Sequence, residues 1–363
     1  MKKKKFLTIF PLTENVHLTK DVGMIPYVLY KEFGYESTIA TYKNNNTNYI
    51  KNEIPGVNFI FISKIFKSEN LNVLIFILMN FWKFDIVQFY HISVTKMFFG
   101  IVCKILNFGK SKIFIKLDAN ILIMDRSIWG KEKISLYKLL SKFIDVISVE
   151  STQIFNFLSK EIKLNNIYLL PNGYLPNASK SIVKKENIFI AVGRFGDENK
   201  AHHLVINAFK LFCEENINWN LILIGPIINN FDIFIKKFIN ENPHLKDKII
   251  FTGIINSREK MMEYYQRAKI FVLTSKSVGF PLVFPEAISN SCLIISSELH
   301  CANDVTDFGK FGAVFKQSDE YDLFKKMIKV INNTDVIHTN DYFQFKEKFN
   351  WVNLLNEINS KLK

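Results

Sequence analysis

The chain has 363 residues, of which 48% are hydrophobic, and it carries a formal net charge of +13. This length exceeds the usual size of one hydrophobic core, so we expect two domains of about 150–200 residues each. The 47 lysine and arginine residues are spread along the chain without a zinc-finger, RNP-like or helix-turn-helix motif, which argues against nucleic-acid binding.

The N-terminal residues resemble a signal peptide only briefly, because Pro11 and Glu14 interrupt the apolar run and no cleavage site follows. The longest apolar segment, 71–82, is shorter than the ~20 residues of a membrane-spanning helix. We therefore predict no transmembrane helix. The cluster Lys2–Lys5 favours peripheral contact with anionic lipid headgroups, at the inner face of the plasma membrane.

Short apolar runs alternate with amphipathic stretches, which is typical of parallel sheets covered by helices. We predict strands at 5–10, 36–42, 85–91, 111–118, 145–150, 187–194, 220–225, 248–253, 268–274 and 292–297. We predict helices at 25–33, 94–106 and 349–362. In the last of these, Trp351, Leu354, Leu355 and Ile358 share one side. The pattern predicts an α/β protein with two doubly wound, Rossmann-like domains in series, joined at a Pro- and Asn-rich seam over 171–186.

The four cysteines show no spacing typical of a metal site or a disulfide framework. They are Cys103, Cys213, Cys292 and Cys301. A reducing, cytoplasmic setting fits this usage best.

Open α/β sheets bind ligands beyond the carboxyl ends of their strands. Arg194 ends a predicted strand and Lys200 follows near a helix start, so the two cations could neutralise a diphosphate. Gly225 ends the next strand and permits close backbone approach. His202 and His203 lack a third ligand at metal spacing and are interpreted as polar residues at a helix start.

The segment GFPLVFPEAISNSCLII, residues 279–295, is the most informative part of the chain. A loop formed by Gly279, Phe280 and Pro281 leads into an apolar helix that carries Glu286. The free N–H groups at a helix start suit a phosphate, and a carboxylate one turn further along suits sugar hydroxyls. The segment predicts a nucleotide-sugar site.

Three blocks across 187–316 resemble, in order and spacing, the C-terminal half of GT-B glycosyltransferases of the GT4-like, retaining group (glycosyl transferases group 1). The blocks are VGRFGDENKAHHLVINAF, FTGIINSREKMMEYYQRAKIFVLTS and GFPLVFPEAISNSCLIIS. The first half resembles the acceptor domain more loosely, through NVHLTKDVGMIPY, DIVQFYHIS and KLDAN. The resemblance implies an acceptor domain at 1–175, a donor domain at 176–345 that faces it across a cleft, and a C-terminal helix at 346–363 that returns to the first domain.

In that family the residues that match Arg194 and Lys200 contact the donor diphosphate, and the residue that matches Glu286 contacts the ribose. The resemblance also implies that the Gly-Phe-Pro loop lies against the donor sugar and phosphates. The predicted donor site comprises Arg194, Lys200, Gly225, Gly279, Phe280, Pro281, Leu282 and Glu286.

Candidate catalytic residues in the first half are His91 and Asp118, which end two predicted strands. The alternatives are a hydrogen-bonded structural imidazole for His91 and a cap or turn carboxylate for Asp118. Glu150 and Thr152 are weaker candidates after a third strand. Asn172 and Gly173 match a common turn at the domain junction, with a hinge role or a donor contact.

One departure from the family concerns its two glutamates eight positions apart, since Val278 stands eight residues before Glu286. This departure leaves open a non-catalytic partner subunit as well as an active enzyme. A nucleotide-sugar epimerase of the same fold is a further alternative.

The sequence predicts a hexosyltransferase-type enzyme (EC 2.4) that moves a sugar from a UDP- or GDP-linked donor to a glycan or lipid-linked glycan. We expect this reaction to serve cell-surface polysaccharide biosynthesis, such as that of capsule or lipopolysaccharide. The resemblance implies retaining transfer, no cofactor and no metal ion, and no DxD motif for a divalent ion stands out.

Overall fold

The structure is a computed structural model that describes residues 3–43, 53–119, 121–176, 183–333 and 339–363. The chain divides into a first unit, Met1–Asn172 with Asn350–Lys363, and a second unit, Gly173–Phe349. Of the predicted seam at 171–186, residues 177–182 lie outside the described residues, as does Lys2.

The first unit is built on a parallel sheet. Its strands are β1 (Lys5–Ile9), β2 (Glu36–Thr41), β3 (Asn58–Phe61), β4 (Ile86–Tyr90), β5 (Lys112–Lys116), β6 (Val146–Val149) and β7 (Ile167–Leu169). The strand order is β3-β2-β1-β4-β5-β6-β7. Because the chain winds outward from β1 in both directions, the carboxyl ends of β1 and β4 meet at a topological switch point.

Helices cover both sides of this sheet. In the order of the chain they are α1 (Asn15–Leu18), α2 (Asp21–Phe33), α3 (Glu69–Asn80), α4 (Val94–Leu106), α5 (Lys131–Ser141) and α6 (Thr152–Asn156). Ser68 caps α3 and Ser93 caps α4 through their hydroxyl groups, while α2 ends at Gly34 in the left-handed conformation. Right-handed crossovers put α3, α4 and α5 on one side of the sheet and α2 on the other.

The second unit is also built on a parallel sheet, with the order β10-β9-β8-β11-β12-β13. Its strands are β8 (Glu186–Val192), β9 (Asn220–Ile224), β10 (Ile249–Gly253), β11 (Ala268–Leu273), β12 (Leu293–Ser297) and β13 (Gly312–Phe315). Its helices are α7 (His203–Cys213), α8 (Phe231–Glu241), α9 (Arg258–Arg267), α10 (Val283–Ser289), α11 (Ala302–Thr306), α12 (Glu320–Asn333) and α13 (Thr339–Glu347).

The last helix, α14 (Trp351–Leu362), belongs to the first unit and packs on α2. Trp351, Leu355 and Ile358 are buried there, whereas Leu354 is half-buried. The hydroxyl of Tyr35 donates a hydrogen bond to Asn359 Oδ1 at 2.7 Å, which anchors the helix at its far end.

All ten predicted strands are confirmed, and the prediction missed β3, β7 and β13. Each missed strand lies at the edge of its sheet and has only three or four residues, so it lacks the long apolar run of a central strand. The predicted helix at 25–33 begins earlier, at Asp21, and includes Pro26. In the described part of the chain, no helix is long and apolar enough to cross a bilayer.

Candidate functional site

In the second unit, the loop after β8 folds around Asp197. Arg194 Nη2 donates to Asp197 Oδ2 at 2.8 Å, and the Lys200 amide donates to the Asp197 carbonyl oxygen at 2.9 Å. The Arg194 side chain remains 65% exposed, so its guanidinium can still meet a ligand. Asp197 therefore holds the two predicted phosphate-binding cations on one short loop.

Asn199 joins this loop to the one that follows β11. Its side chain donates to the Ser277 carbonyl at 2.7 Å and accepts from the Ser277 amide at 3.0 Å. The Lys276 amide donates to the Asn199 carbonyl at 2.7 Å. Because β8 and β11 are neighbours, these bonds bring Arg194 and Lys200 to the same edge of the sheet as the Gly-Phe-Pro loop.

The Gly-Phe-Pro loop presents mainly backbone. The Phe280 ring is buried, with centroids 6.2 Å from Phe284 and 6.1 Å from Phe349. Its ring therefore belongs to the core of the second unit, and any donor contact at this position would come from main-chain atoms. Leu282 forms the N-cap of α10, a helix of seven residues, and Gly279, Pro281 and Leu282 are half-buried.

Glu286 lies in the first turn of α10, where Oε2 accepts a hydrogen bond of 3.1 Å from the Tyr265 hydroxyl. Desolvation of the carboxyl raises the pKa of Glu286 to about 7, against the lowering effects of Tyr265 and Arg258. Among the described residues, Oε1 accepts no hydrogen bond. A carboxylate held by one oxygen leaves the other for a sugar hydroxyl.

The packing of the backbone around position 225 requires glycine there. Its φ is +140°, and a Cβ placed there would lie 1.9 Å from the Gly193 carbonyl oxygen. The close backbone approach predicted for Gly225 is thus an approach to the neighbouring strand end, and it needs no ligand.

At the helix start after Lys200, the sequence predicts polar residues, but the structure buries His202. His202 is the N-cap of α7, but its ring is buried against Phe195, with centroids 4.3 Å apart. Desolvation, with a smaller effect of Lys200, lowers the pKa of His202 to about 4, so the imidazole is neutral at pH 7. Ala201, directly after Lys200, has a φ of +48°.

In the first unit, three candidate residues follow adjacent strands. His91 follows β4, Asp118 follows β5 and Glu150 follows β6, so all three lie at the carboxyl edge of the sheet. His91 and Asp118 are exposed, whereas Glu150 is 1% exposed. The His91 amide donates to the Lys116 carbonyl at 2.9 Å. Thr152 begins α6 directly after Ser151, whose hydroxyl caps that helix.

A buried charge cluster lies at the same edge. Lys116 Nζ is 2.9 Å from Glu150 Oε1 and 3.6 Å from Asp21 Oδ2, and Asn172 Nδ2 donates to Glu150 Oε1 at 3.2 Å. Desolvation, with repulsion from Asp118 and Asp21, raises the pKa of Glu150 to about 8 despite the attraction of Lys116. Burial likewise raises the pKa of Asp21. Burial acts to lower the pKa of Lys116, but the nearby carboxyls of Glu150 and Asp21 outweigh it and raise this pKa. One ammonium thus serves several carboxyls, and at least one of these holds a proton near neutral pH.

Sequence reasoning missed Asp21, Lys116 and Asn199. The available signal for Lys116 was a lysine within the apolar run of a central strand, where a charge is rarely buried without partners. Gly173 is the first residue of the second unit, and its donor role stays a prediction, as do the roles of the other selected residues. In the described ranges, no three His, Cys, Asp or Glu side chains are placed to hold a metal ion.

Residues 177–348 match the protein-family model described as Glycosyl transferases group 1. The chain is 25% identical over 185 residues to the capsular polysaccharide biosynthesis glycosyltransferase CapH of Staphylococcus aureus. This match covers 48% of the chain and 49% of CapH, so the chain spans about half the length of that relative.

Solved structures resemble the whole chain. A glycosyltransferase from Rickettsia africae has a TM-score of 0.73 at 14% identity, covering 100% of this chain and 98% of that one. HepE of Anabaena, crystallised in complex with UDP, has a TM-score of 0.70 at 14% identity, covering 99% of both chains. Likeness at this identity shows the fold alone, and the fold is the GT-B fold predicted from the sequence.

Proposed function

We propose that this protein, whose residues 177–348 belong to the glycosyl transferases group 1 family, transfers a sugar from a nucleoside-diphosphate sugar to a glycan or lipid-linked glycan. The observation that carries the proposal is the joining of two loops by Asn199. These bonds hold the loop of Arg194 and Lys200 against residues 276 and 277, directly before the segment that leads through the Gly-Phe-Pro loop to Glu286 on α10.

The chemistry of transfer suits these residues. When the glycosyl bond to the diphosphate breaks, negative charge grows on the leaving phosphate, and the cations of Arg194 and Lys200 stabilise it. Glu286 accepts a hydrogen bond from a donor hydroxyl through Oε1, and Tyr265 fixes the carboxyl through Oε2. Retention without a metal ion remains part of the proposal, with the leaving phosphate taking the acceptor proton.

UDP is the proposed nucleotide because HepE, which shares the fold, was crystallised with it. The name of CapH supports a role in capsular or related surface polysaccharide biosynthesis. A cytoplasmic setting, predicted from the cysteines, would give such an enzyme access to nucleotide sugars.

The test is calorimetric titration of the protein with UDP, GDP, ADP and CMP in the presence of EDTA. We expect UDP to bind selectively and Arg194→Ala to weaken binding about 10- to 100-fold, the worth of a charge-assisted hydrogen bond. Arg267→Ala is the matched control, since Arg267 is also a half-exposed arginine of the second unit in an ion pair, with Glu186 at 2.7 Å. Equal affinity in the wild type and Arg194→Ala would contradict the site.

The non-catalytic alternative rests on Val278, a half-buried residue directly before Gly279. Measurement of glycosyl transfer by the Val278→Glu variant distinguishes an active glycosyltransferase from a non-catalytic subunit. A large gain of transfer over an inactive wild type favours a non-catalytic subunit, whereas loss of an existing activity shows that valine suits the native donor.

A further inference from the structure

Three neighbouring helices of the first unit carry large apolar side chains on their outward surfaces. Helices α3 and α5 each pack against α4, on the same side of the sheet. We define the apolar face as the exposed apolar side chains of these helices and of the turns that follow them. These side chains are 38–89% exposed. They belong to Leu71, Leu78, Met79, Trp82, Val94, Phe98, Ile105, Phe108, Leu136, Leu139 and Phe143.

Helix α4 is apolar on both sides. Val94, Phe98 and Ile105 lie within about 40° of one another around the helix axis, at 100° per residue. Phe99 and Cys103 are buried on the opposite side, toward the sheet. A helix that is hydrophobic all round is normally covered on every side, and α4 with its 13 residues is too short to span a bilayer.

The turn after α4 ends the face with an exposed aromatic ring. Phe108 is 89% exposed and has a φ of +51°, between Asn107 and Gly109. A bulky residue pays a steric cost in this conformation, where asparagine or glycine is common. An apolar partner would explain a phenylalanine at this tip.

The charge around the face is strongly positive. Segments 67–110 and 131–145, which contain the face, have nine lysines and four acidic residues, and one of these, Asp145, pairs with Lys104 at 2.7 Å. Lys4 and Lys5 are engaged elsewhere, because Lys4 Nζ donates to the Lys363 carbonyl at 2.8 Å and Lys5 Nζ lies 3.9 Å from Glu36. Of the predicted lipid contact, Lys4 and Lys5 are therefore less suited to a membrane than the surface of α3–α5.

We propose that the apolar face docks on the surface of an anionic lipid bilayer, with its side chains among the acyl chains and the lysines at the phosphates. Side chains of this kind gain free energy on leaving water, and lysines add attraction to anionic headgroups. Trp82, beside Lys83, suits the boundary between headgroups and chains. A second copy of the chain is a poorer occupant, because two faces of the same positive charge repel. The inference rests on the proposed function only in that a lipid-linked acceptor is found at a membrane.

The experiment is sedimentation of the full chain with vesicles of phosphatidylcholine alone or of equal parts phosphatidylcholine and phosphatidylglycerol. The test variant combines Phe98→Gln, Ile105→Gln and Phe108→Ser. The control variant combines Ile233→Gln, Ile254→Gln and Phe308→Ser in the second unit. These control residues are 62–74% exposed, and Phe308 also has a positive φ, of +56°.

We expect the wild type and the control variant to bind the anionic vesicles, and less so at high salt. We expect the test variant to lose about 100-fold in partition coefficient. Failure of the wild type to bind, or an equal loss in the control variant, would overturn the proposal. A wild-type dimer that is abolished in the test variant, without vesicle binding, would assign the face to a second copy instead.

UDP titration of the same preparations separates this inference from the proposed function. Intact UDP binding without vesicle binding overturns the membrane inference alone. Vesicle binding without any nucleotide binding overturns the proposed function alone.

Discussion

Lys116 Nζ lies 2.9 Å from Glu150 Oε1, and the two side chains are 0% and 1% exposed. The pair closes the carboxyl edge of the first sheet, since Lys116 ends β5 and Glu150 follows β6. It also reaches α2 through Asp21. Loss of either side chain is costly at a site so far from water, because the buried polar groups that remain lose a contact that offsets their desolvation.

Lys116→Met is expected to destabilise the protein by about 3–5 kcal/mol, because it leaves the buried carboxyls without their cation. Lys112→Met, on the same strand, is the control. Lys112 Nζ lies 3.3 Å from Asp145 Oδ1 but its side chain is 41% exposed, so its loss should cost about 0–1 kcal/mol. Urea unfolding of both variants measures the difference, and equal midpoints would show that burial adds nothing to the pair.

Glu150→Gln is expected to change the pH dependence of stability. The pKa of Glu150 is raised from 4.5 to about 8 in the folded state, so the folded protein binds more protons than the unfolded chain within this window. The unfolding free energy of the wild type therefore falls as the pH rises from about 4.5 to about 8. Glutamine cannot ionise and removes this contribution.

The measurement is the thermal midpoint of the wild type and Glu150→Gln across that pH range. The difference in thermal midpoint, variant minus wild type, should increase as the pH rises. Asp145→Asn serves as the control, because Asp145 also forms ion pairs with lysine, here Lys104 and Lys112, but lies nearer the surface. A constant offset between Glu150→Gln and the wild type would contradict a raised pKa.

The sequence predicts the central strands because their apolar runs are set by burial on both faces, and it predicts the site loops because they follow those strands. It does not predict Lys116 at the cluster, because the partners Asp21 and Glu150 lie far away in the chain and meet only through the strand order. Asn199 was missed for the same reason, since its contact with Ser277 depends on β8 lying beside β11. At Phe280 the motif predicts a ligand contact, and the sequence did not show that its ring packs against Phe349, which leaves main-chain atoms for such a contact.

Gly225→Ala is expected to destabilise the second unit much more than Gly253→Ala. Both glycines have positive φ, +140° and +70°, but a Cβ at Gly225 meets the Gly193 carbonyl oxygen at 1.9 Å, whereas one at Gly253 meets no atom within 4 Å. Gly253→Ala should cost about 1–2 kcal/mol from the left-handed conformation alone. Gly225→Ala should cost about 3 kcal/mol or more, because backbone must also move. Equal losses of unfolding free energy in urea would mean that the backbone at Gly193 and Gly225 can move apart at little cost.

Glu286→Gln is expected to remove a pH dependence of UDP binding. With a pKa of about 7, Glu286 is mostly protonated at pH 6 and mostly ionised at pH 8. A ribose hydroxyl donates to the ionised carboxylate, so the competent fraction of the protein rises with pH. The wild type should therefore bind UDP about tenfold more tightly at pH 8 than at pH 6 through this group.

Titration of UDP at several pH values checks this expectation. UDP itself releases a proton in the same range, and this effect is common to both proteins, so the ratio of the two affinities isolates Glu286. The amide oxygen that the variant carries would still accept the hydrogen bond from the Tyr265 hydroxyl, which makes the substitution a change of charge rather than of packing. A ratio that stays constant from pH 6 to pH 8 would show that the Glu286 carboxyl does not bind the nucleotide in its ionised form.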